Sequence, residues 1–297
     1  MSLGGRRRVV EPGVDLRRAG ASGVQKTFGE ESMRIIVPIK QVPETGAVRM
    51  DEASGTMIRE GVEAIVNPLD LYSIELALRL REARGGEVVV LSMGPPKADK
   101  AIREAIAMGC DRGVLISDAA FAGSDTWATS YVLAAAVGKL APFDLVICGE
   151  RATDGDTGQV GPGIAAFCGL PVVTYVSAVR EIAERHLVAE RLVETGHEVL
   201  RMLLPGVLTV VKEVGDPRLP TLRGKQKARA AEVPRWGPDE LGVDRDKLGL
   251  KGSPTRVVKI HRPTIARQCE KLPAGDEASA TAAAQRVVDV LRQRQIL

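Results

Sequence analysis

Apolar residues along this chain come in short unbroken runs separated by longer stretches of helical period. The runs at 34–40 (RIIVPIK), 87–92 (EVVVLS), 112–117 (RGVLIS), 145–148 (LVIC) and 171–177 (PVVTYVS) have strand length and lack polar alternation. That is the pattern of strands buried on both faces. Between them, Asn67-Pro68 opens a predicted helix that runs through Arg84, with Leu71, Ile74 and Leu78 on one face and Gly85-Gly86 closing it. A second helix runs to Met108 and stops at Gly109, and a third runs from Thr126 to Leu140 with Ser124 or Asp125 as its cap. Strands alternating with helices predict an α/β fold with a doubly wound, mostly parallel sheet, whose ligands sit beyond the strand C-termini. Polar turns at 41–45, 93–96, 118–125 and 150–158 fall on that rim.

The pattern changes after Val176. Residues 181–212 read as antiparallel strands with a turn at Thr195-Gly196, and 48–60 as a hairpin turning at Ala53-Ser54-Gly55. Residues 218–234, which end RGKQKARAAEVP, read as an exposed connector whose basic run is a solvated face, with docking to an acidic partner as the alternative. A short strand is predicted at 254–261, and an amphipathic helix at 277–297 carrying Val287, Val288, Val290 and Leu291. That tail buries little by itself and is expected to pack on a partner chain. Residues 1–32 are basic, with no apolar signal-peptide core, and are expected to be a disordered leader or a mis-assigned start. The expected division is 1–32 as leader, 33–215 as the α/β domain with its antiparallel extension, and 216–297 as connector and C-terminal arm.

Composition narrows the chemistry. Of 297 residues 44% are apolar and only 3% aromatic, so the core is aliphatic. A net charge of +3 gives no reason to expect a nucleic-acid surface. No apolar run approaches the ~20 residues of a membrane span, so no direct membrane insertion is expected. Cys110, Cys148, Cys168 and Cys269 form no C-x-x-C pair and read as small buried hydrophobes in a reducing, cytoplasmic compartment. The histidines, His186, His197 and His261, are scattered. Neither a metal site nor a nucleophile–base pair is expected, and no residue is assigned a catalytic role.

The stretch richest in chemistry is 144–169, DLVICGERATDGDTGQVGPGIAAFCG. A buried strand ends at Gly149, and the loop after it holds Gly155 and Gly158, where the backbone needs positive φ or close approach to a ligand. Asp156 or Thr157 is placed to cap a helix whose first turns hold Gln159, Gly161 and Pro162. Such a helix start aims several N–H groups at one spot, as phosphate binding requires. Asp154 and Asp156 carry the wrong sign for a phosphate and must turn away, cap the helix or take hydroxyls. The spacing is neither G-x-G-x-x-G nor a P-loop. An ordinary strand-to-helix turn with a good cap fits the same residues equally well.

From Met33 onward the chain resembles the beta subunit of electron-transfer flavoprotein. The resemblance is carried by VPIKQVPET, Asn67-Pro68-Leu69-Asp70, SMGPP, AFAGSDTWATS, CGERATDGDTGQVGPGIA, LRGKQKARAAEVP and GSPTRVVKIHRP. It implies a Rossmann-like, adenine-nucleotide-binding domain with an arm that wraps an alpha subunit carrying FAD. In the respiratory type the beta subunit holds a structural AMP. By motif, that site here is Pro38, Asn67, Pro68, Leu69, Asp70 and Met93, with Gly149, Arg151, Asp154, Gly155, Asp156, Thr157, Gly158, Gln159 and Val160, the phosphate lying on the amides of 156–160. The loop DGDTGQVGP is closer to the electron-bifurcating, FixA-like subgroup, which holds a second FAD in the beta subunit. That likeness places Asp125, Thr126 and Thr129 beside the isoalloxazine ring, with Ala122, Gly123 and Ser124 leaving room at its face. On the residues alone, Asp125 reads as a plain N-cap.

The subgroup's implied chemistry belongs to the cofactor. NADH passes a hydride to the beta-subunit FAD; one electron goes through the alpha-subunit FAD towards quinone, and the other to ferredoxin or flavodoxin. The partner-recognition segment is Glu194, Thr195, Gly196, His197, Glu198, Val199 and Leu200, with His197 where the respiratory type presents leucine. An imidazole is a poor plug for an apolar pocket, which favours a dedicated quinone-linked oxidoreductase over acyl-CoA dehydrogenases. Two alternatives stand beside this reading: the same family with AMP, as the non-redox half of a shuttle, and an ATP-using enzyme or nucleotide sensor on the same sheet. The latter needs a phosphate-binding cation after the first strand, where Lys40 is the obvious candidate.

Overall fold

A computed structural model describes residues 32–44, 49–50, 57–58, 64–258 and 269–297. Residues 1–31 of the expected leader, the hairpin turn at Ala53-Ser54-Gly55 and residues 259–261 of the strand expected at 254–261 lie outside the described residues. The flanks of that hairpin do pair, Arg49 with Ile58 and Met50 with Met57. Residues 254–258 carry no strand. The chain divides into two compact units, Met1–Val258 and Lys259–Leu297.

The first unit is built on a nine-stranded sheet. In chain order its strands are β1 (Met33–Ile39), β2 (Gly86–Met93), β3 (Arg112–Ile116), β4 (Leu145–Gly149), β5 (Val172–Ile182), β6 (His186–Val193), β7 (Gly196–Leu203), β8 (Gly206–Val210) and β9 (Arg235–Trp236). They lie in the order β7-β6-β5-β8-β4-β1-β2-β3-β9. Pairing is parallel from β5 through β9, and antiparallel for β5–β6 and β6–β7. The helices are α1 (Asp70–Arg84), α2 (Asp99–Met108), α3 (Thr126–Lys139), α4 (Val160–Cys168) and α5 (Leu222–Ala230). Ile74 and Leu78 of α1, Ile102 of α2 and Ala228 of α5 join one buried cluster, and Val132 of α3 and Ile164 of α4 the other. The parallel part of the sheet is therefore covered on both faces, and strands there read as unbroken apolar runs because neither face meets water; β7 at the antiparallel edge is largely exposed.

Two elements differ from the pattern in the sequence. Residues 206–210, expected as the last antiparallel strand, form β8, which slots between β5 and β4 and runs parallel to both. All five residues are buried, so this GVLTV run has the signature of a central strand rather than of an edge hairpin. The stretch expected as an exposed connector is largely exposed, yet it is ordered. Thr221 caps α5, Lys227 Nζ reaches the carbonyl of Cys110 at 3.0 Å, and β9 joins the sheet beside β3.

In the second unit, α6 (Glu277–Gln293) is capped by Asp276, whose carboxylate accepts from the Ser279 amide at 2.8 Å. None of its residues is buried. Among the described residues no helix is long and apolar enough to cross a membrane.

Candidate nucleotide site

The strand order reverses at β1: the chain moves from β1 to β2 and β3 on one side, then returns to β4 on the other. At such a switch point the loops leaving two neighbouring strands diverge and open a crevice beyond their C-termini. Here the crevice lies beyond β1 and β4. The residues predicted for the nucleotide fall on three segments linked to one another at this end of the sheet.

The first segment is the start of α1. Asn67 is fully buried; its side-chain amide donates to the Arg151 carbonyl at 2.9 Å, and its oxygen accepts from the Thr153 amide at 3.1 Å. The turn before α1 is thus fastened to the loop after β4. Asp70, also buried, accepts from the Lys40 amide at 2.7 Å, which ties α1 to the end of β1. Burial pushes its carboxyl up to about 7, against the pull of hydrogen bonds from Lys40 and Asn67. Gly149 is required by contact: a Cβ there would overlap the Asp70 carboxylate and lie 2.9 Å from the Leu69 carbonyl oxygen. Pro38 is buried near the end of β1, and Met93 is half-buried at the end of β2.

The second segment is the loop after β4. All three acidic residues of the loop face cations of their own chain, Glu150 to Arg151 at 3.3 Å, Asp154 to Lys40 Nζ at 2.7 Å and Asp156 to Arg151 Nε at 2.9 Å. Lys40, the candidate phosphate cation of an ATP-using site, is thereby engaged. Two details correct the sequence reading. The left-handed residues are Asp156 (φ +52°) and Gly158 (φ +62°), not Gly155; aspartate tolerates that region through local hydrogen bonding. The helix begins at Val160 with Gln159 as its N-cap and no side-chain cap, so neither Asp156 nor Thr157 caps it. The Asp156 amide instead closes a turn onto the Ala152 carbonyl at 2.8 Å. The amides of Thr157, Gly158, Gln159, Val160 and Gly161 have no acceptor among the described residues. An uncapped helix start with several free N–H groups is built to receive an anion.

The third segment is the start of α3. Asp125 caps it, one carboxylate oxygen accepting from Ala128 N at 3.0 Å. The other accepts from the amide and hydroxyl of Thr255 at 2.9 and 2.8 Å, while the Asp125 amide donates to Ser253 Oγ at 2.8 Å. Burial alone would raise this carboxyl; the hydrogen bonds from Ala128 and Thr255 bring it below its ordinary value. Thr126 and Thr129 are half-buried in the same turn. Ser130, one turn further on, donates to the Thr126 carbonyl at 2.6 Å and stands 3.4 Å from the Val160 carbonyl. Gly163 permits that approach, since a Cβ on it would lie 2.7 Å from the Ser130 Cβ. The N-termini of α3 and α4 therefore open side by side.

Ser130, Ser253 and Thr255 carry no signal in the sequence that ties them to this site, because their roles depend on helix contact and on a return of the chain 130 residues later. The segment 194–200 lies elsewhere, at the tip of the β6–β7 hairpin on the sheet's edge. Glu194, Thr195, Gly196, His197, Glu198 and Val199 are exposed and Leu200 is half-buried. His197 Nδ1 stands 2.8 Å from a Glu190 carboxylate oxygen. Among the cysteines, Cys110 and Cys148 are buried as expected, whereas Cys269 is exposed. Burial raises the Cys148 and Cys110 thiols, the latter to about 12.

Residues 54–241 match the electron transfer flavoprotein domain family. The chain is 45% identical to an electron transfer flavoprotein subunit beta of Thermoanaerobacterium thermosaccharolyticum, over 89% of this chain and 100% of the relative. It is 45% identical to the caffeyl-CoA reductase-Etf complex subunit CarD of Acetobacterium woodii, over 78% of this chain and 88% of the relative. It is 42% identical to protein FixA of Azorhizobium caulinodans, over 89% and 95%.

Proposed function

Starting from the fact that the chain belongs to the electron transfer flavoprotein family as a beta subunit, we propose that it holds FAD in the crevice beyond β1 and β4 and takes part in electron bifurcation with its alpha subunit. The observation that carries this reading is the side-by-side opening of two helix N-termini. Free amides at α4 suit a phosphate, and the α3 turn with Asp125, Thr126 and Thr129 offers a second polar edge where a ring system extends past an adenosine. The donor set fits such a group: uncapped N–H groups, and acidic side chains drawn aside by Lys40 and Arg151.

FAD supplies the redox chemistry when bound, exchanging electrons in pairs or singly. The chain's own residues bind and orient. The amides of 157–161 hold the phosphates, Asn67 fixes the β4 loop against α1, Asp70 ties α1 to the end of β1, and Pro38 and Met93 line the strand ends. Gly149, Arg151, Asp154, Gly155 and Asp156 shape the loop itself. The electron donor is proposed to be NADH, and the acceptors quinone, through the alpha subunit, and ferredoxin or flavodoxin. His197 at the hairpin tip supports a polar-faced partner such as a quinone-linked complex.

A second reading, AMP in the same crevice, is favoured by one observation: both Asp125 carboxylate oxygens are engaged within the chain, as a structural cap requires. Purifying the heterodimer in the presence of FAD and measuring flavin by absorbance after denaturation separates the readings. About two flavins per heterodimer support the bifurcating role, and about one with released AMP supports the shuttle.

A further inference from the structure

Strand β5 carries one residue too many for its neighbour. Val173 pairs with Leu208 and Val176 with Val210, so Thr174 and Tyr175 together stand opposite the single Thr209. This is a β-bulge, a device that turns a side chain out of its strand's alternation. Tyr175 takes φ +57°, a region that aromatic residues rarely adopt. Its amide, displaced from the ladder, is caught by Thr209 Oγ1 at 3.1 Å. Thr209 is at the same time the surface on which α4 rests, since a Cβ on Gly161 would lie 2.5 Å from its Cγ2. Bulge, threonine and helix start are therefore one packed unit.

The strained backbone aims the phenol at the α4 N-terminus. A Cβ built on Gly158 would stand 3.9 Å from the Tyr175 hydroxyl, and Gly158 is one of the residues whose amides are free. The hydroxyl has no partner among the described residues, and Tyr175 as a whole is 44% exposed, although it sits within the sheet's parallel region. Backbone strain of this kind persists where surrounding structure enforces it and function uses it. Here the enforced outcome is a hydroxyl held near free N–H donors; the Glu150 carbonyl lies 3.6 Å from the same Gly158 Cβ position, yet the phenol makes no hydrogen bond among the described residues.

We infer that Tyr175 is a nucleotide-binding residue that donates its phenolic hydrogen to the phosphate received at the start of α4. The phosphate is that of an adenosine 5′-phosphate, whether it belongs to FAD or to AMP. This inference rests on the reading of the crevice as a nucleotide site. The bulge explains why β5 presents a large polar-tipped side chain between the buried Val173 and Val176, and Thr209 is the residue that holds the bulged amide.

The test uses the heterodimer, stripped of nucleotide and titrated with FAD and, separately, with AMP. Tyr175→Phe keeps the ring and removes one hydrogen bond to an anionic phosphate, so the dissociation constant of the retained nucleotide is expected to rise about ten- to a hundredfold. The thermal midpoint is expected to stay at the wild-type value, and the 31P resonance of the bound phosphate to move. Tyr175→Asn, which tolerates positive φ, is expected to lose the same affinity while folding at least as stably. Wild-type affinity and an unmoved 31P resonance in Tyr175→Phe would overturn the role of Tyr175 alone. A wild-type heterodimer that binds neither nucleotide would overturn the reading beneath it as well, so the two failures are distinct.

Discussion

Asp70 is the residue whose chemistry is most altered by its place in the fold. It is buried beside the crevice, and burial raises its carboxyl from 3.8 to about 7. An acid with a raised folded pKa binds a proton in the native state that the unfolded chain has already released. Between those two pH values stability therefore falls as pH rises, at no more than about 1.4 kcal/mol per pH unit from this group. Below 3.8 and above about 7 it contributes no slope. Asp70→Asn keeps an oxygen to accept from Lys40 and removes the ionisation. Urea unfolding between pH 5 and pH 8 is expected to show a shallower decline for the variant, with its stability exceeding that of wild type most clearly at the alkaline end. Equal slopes would mean that Asp70 is solvated enough to titrate like a free carboxyl. Nothing in NPLD announces this behaviour; the residues mark a helix start, and only the approach of β4, with Gly149 pressed against Asp70, removes the water.

At the scale of elements, local signals were legible and long-range pairings were not. Strands β1 to β4 and helices α1 and α3 were readable because apolar runs and periodic faces report burial directly, and Gly85 and Gly109 end their helices as sequence rules require. The parallel placement of β8 was not readable. A five-residue apolar run is the same whether its neighbour is the preceding hairpin or a strand 60 residues earlier. The start of α4 was misplaced for a local reason: the turn closed by the Asp156 amide and the left-handed Gly158 consume residues that capping rules assign to the helix. Arg218 shows how a segment that reads as a solvated linker is held. It pairs with Glu82 and with Glu75, the latter at 2.8 Å on a side chain only 4% exposed. Burial opposes ionisation of Glu75, but hydrogen bonds from Arg218 and Arg79 prevail and lower its pKa, so this contribution is present above about 4.5 and fades as pH falls. Removing the guanidinium leaves a buried carboxylate with Arg79 as its remaining partner. Arg218→Ala is expected to lower unfolding free energy at pH 7 by about 2–3 kcal/mol, under the full range for a buried pair because Arg218 is itself partly exposed. Chemical denaturation measures it; a loss below about 0.5 kcal/mol would show that the pair is an ordinary surface contact.

At the scale of the whole molecule, the two units differ in what holds them. The first has clusters of buried aliphatic residues on both faces of its sheet, sufficient for an independent core. The second unit's helix α6 has a good cap and an ion pair, Arg286 with Glu270 at 3.0 Å, but no buried residue. A 17-residue helix of this kind is marginal by itself in water, and an exposed ion pair adds little. Its apolar positions, Val287 among them at 51% exposure, gain stability only from a surface outside the helix. Beta subunits of this family pair with an alpha subunit, and we propose that the alpha subunit supplies that surface. Truncation after residue 268 separates the possibilities. If α6 serves the partner, the truncated chain alone unfolds within about 2 °C of the full chain, because little buried area is lost. In the same preparation, association with the alpha subunit, followed by size-exclusion chromatography and titration calorimetry, weakens by a factor of ten or more, about 1.4 kcal/mol. A drop of many degrees in the isolated chain, with partner affinity intact, would instead assign the helix to the stability of its own subunit.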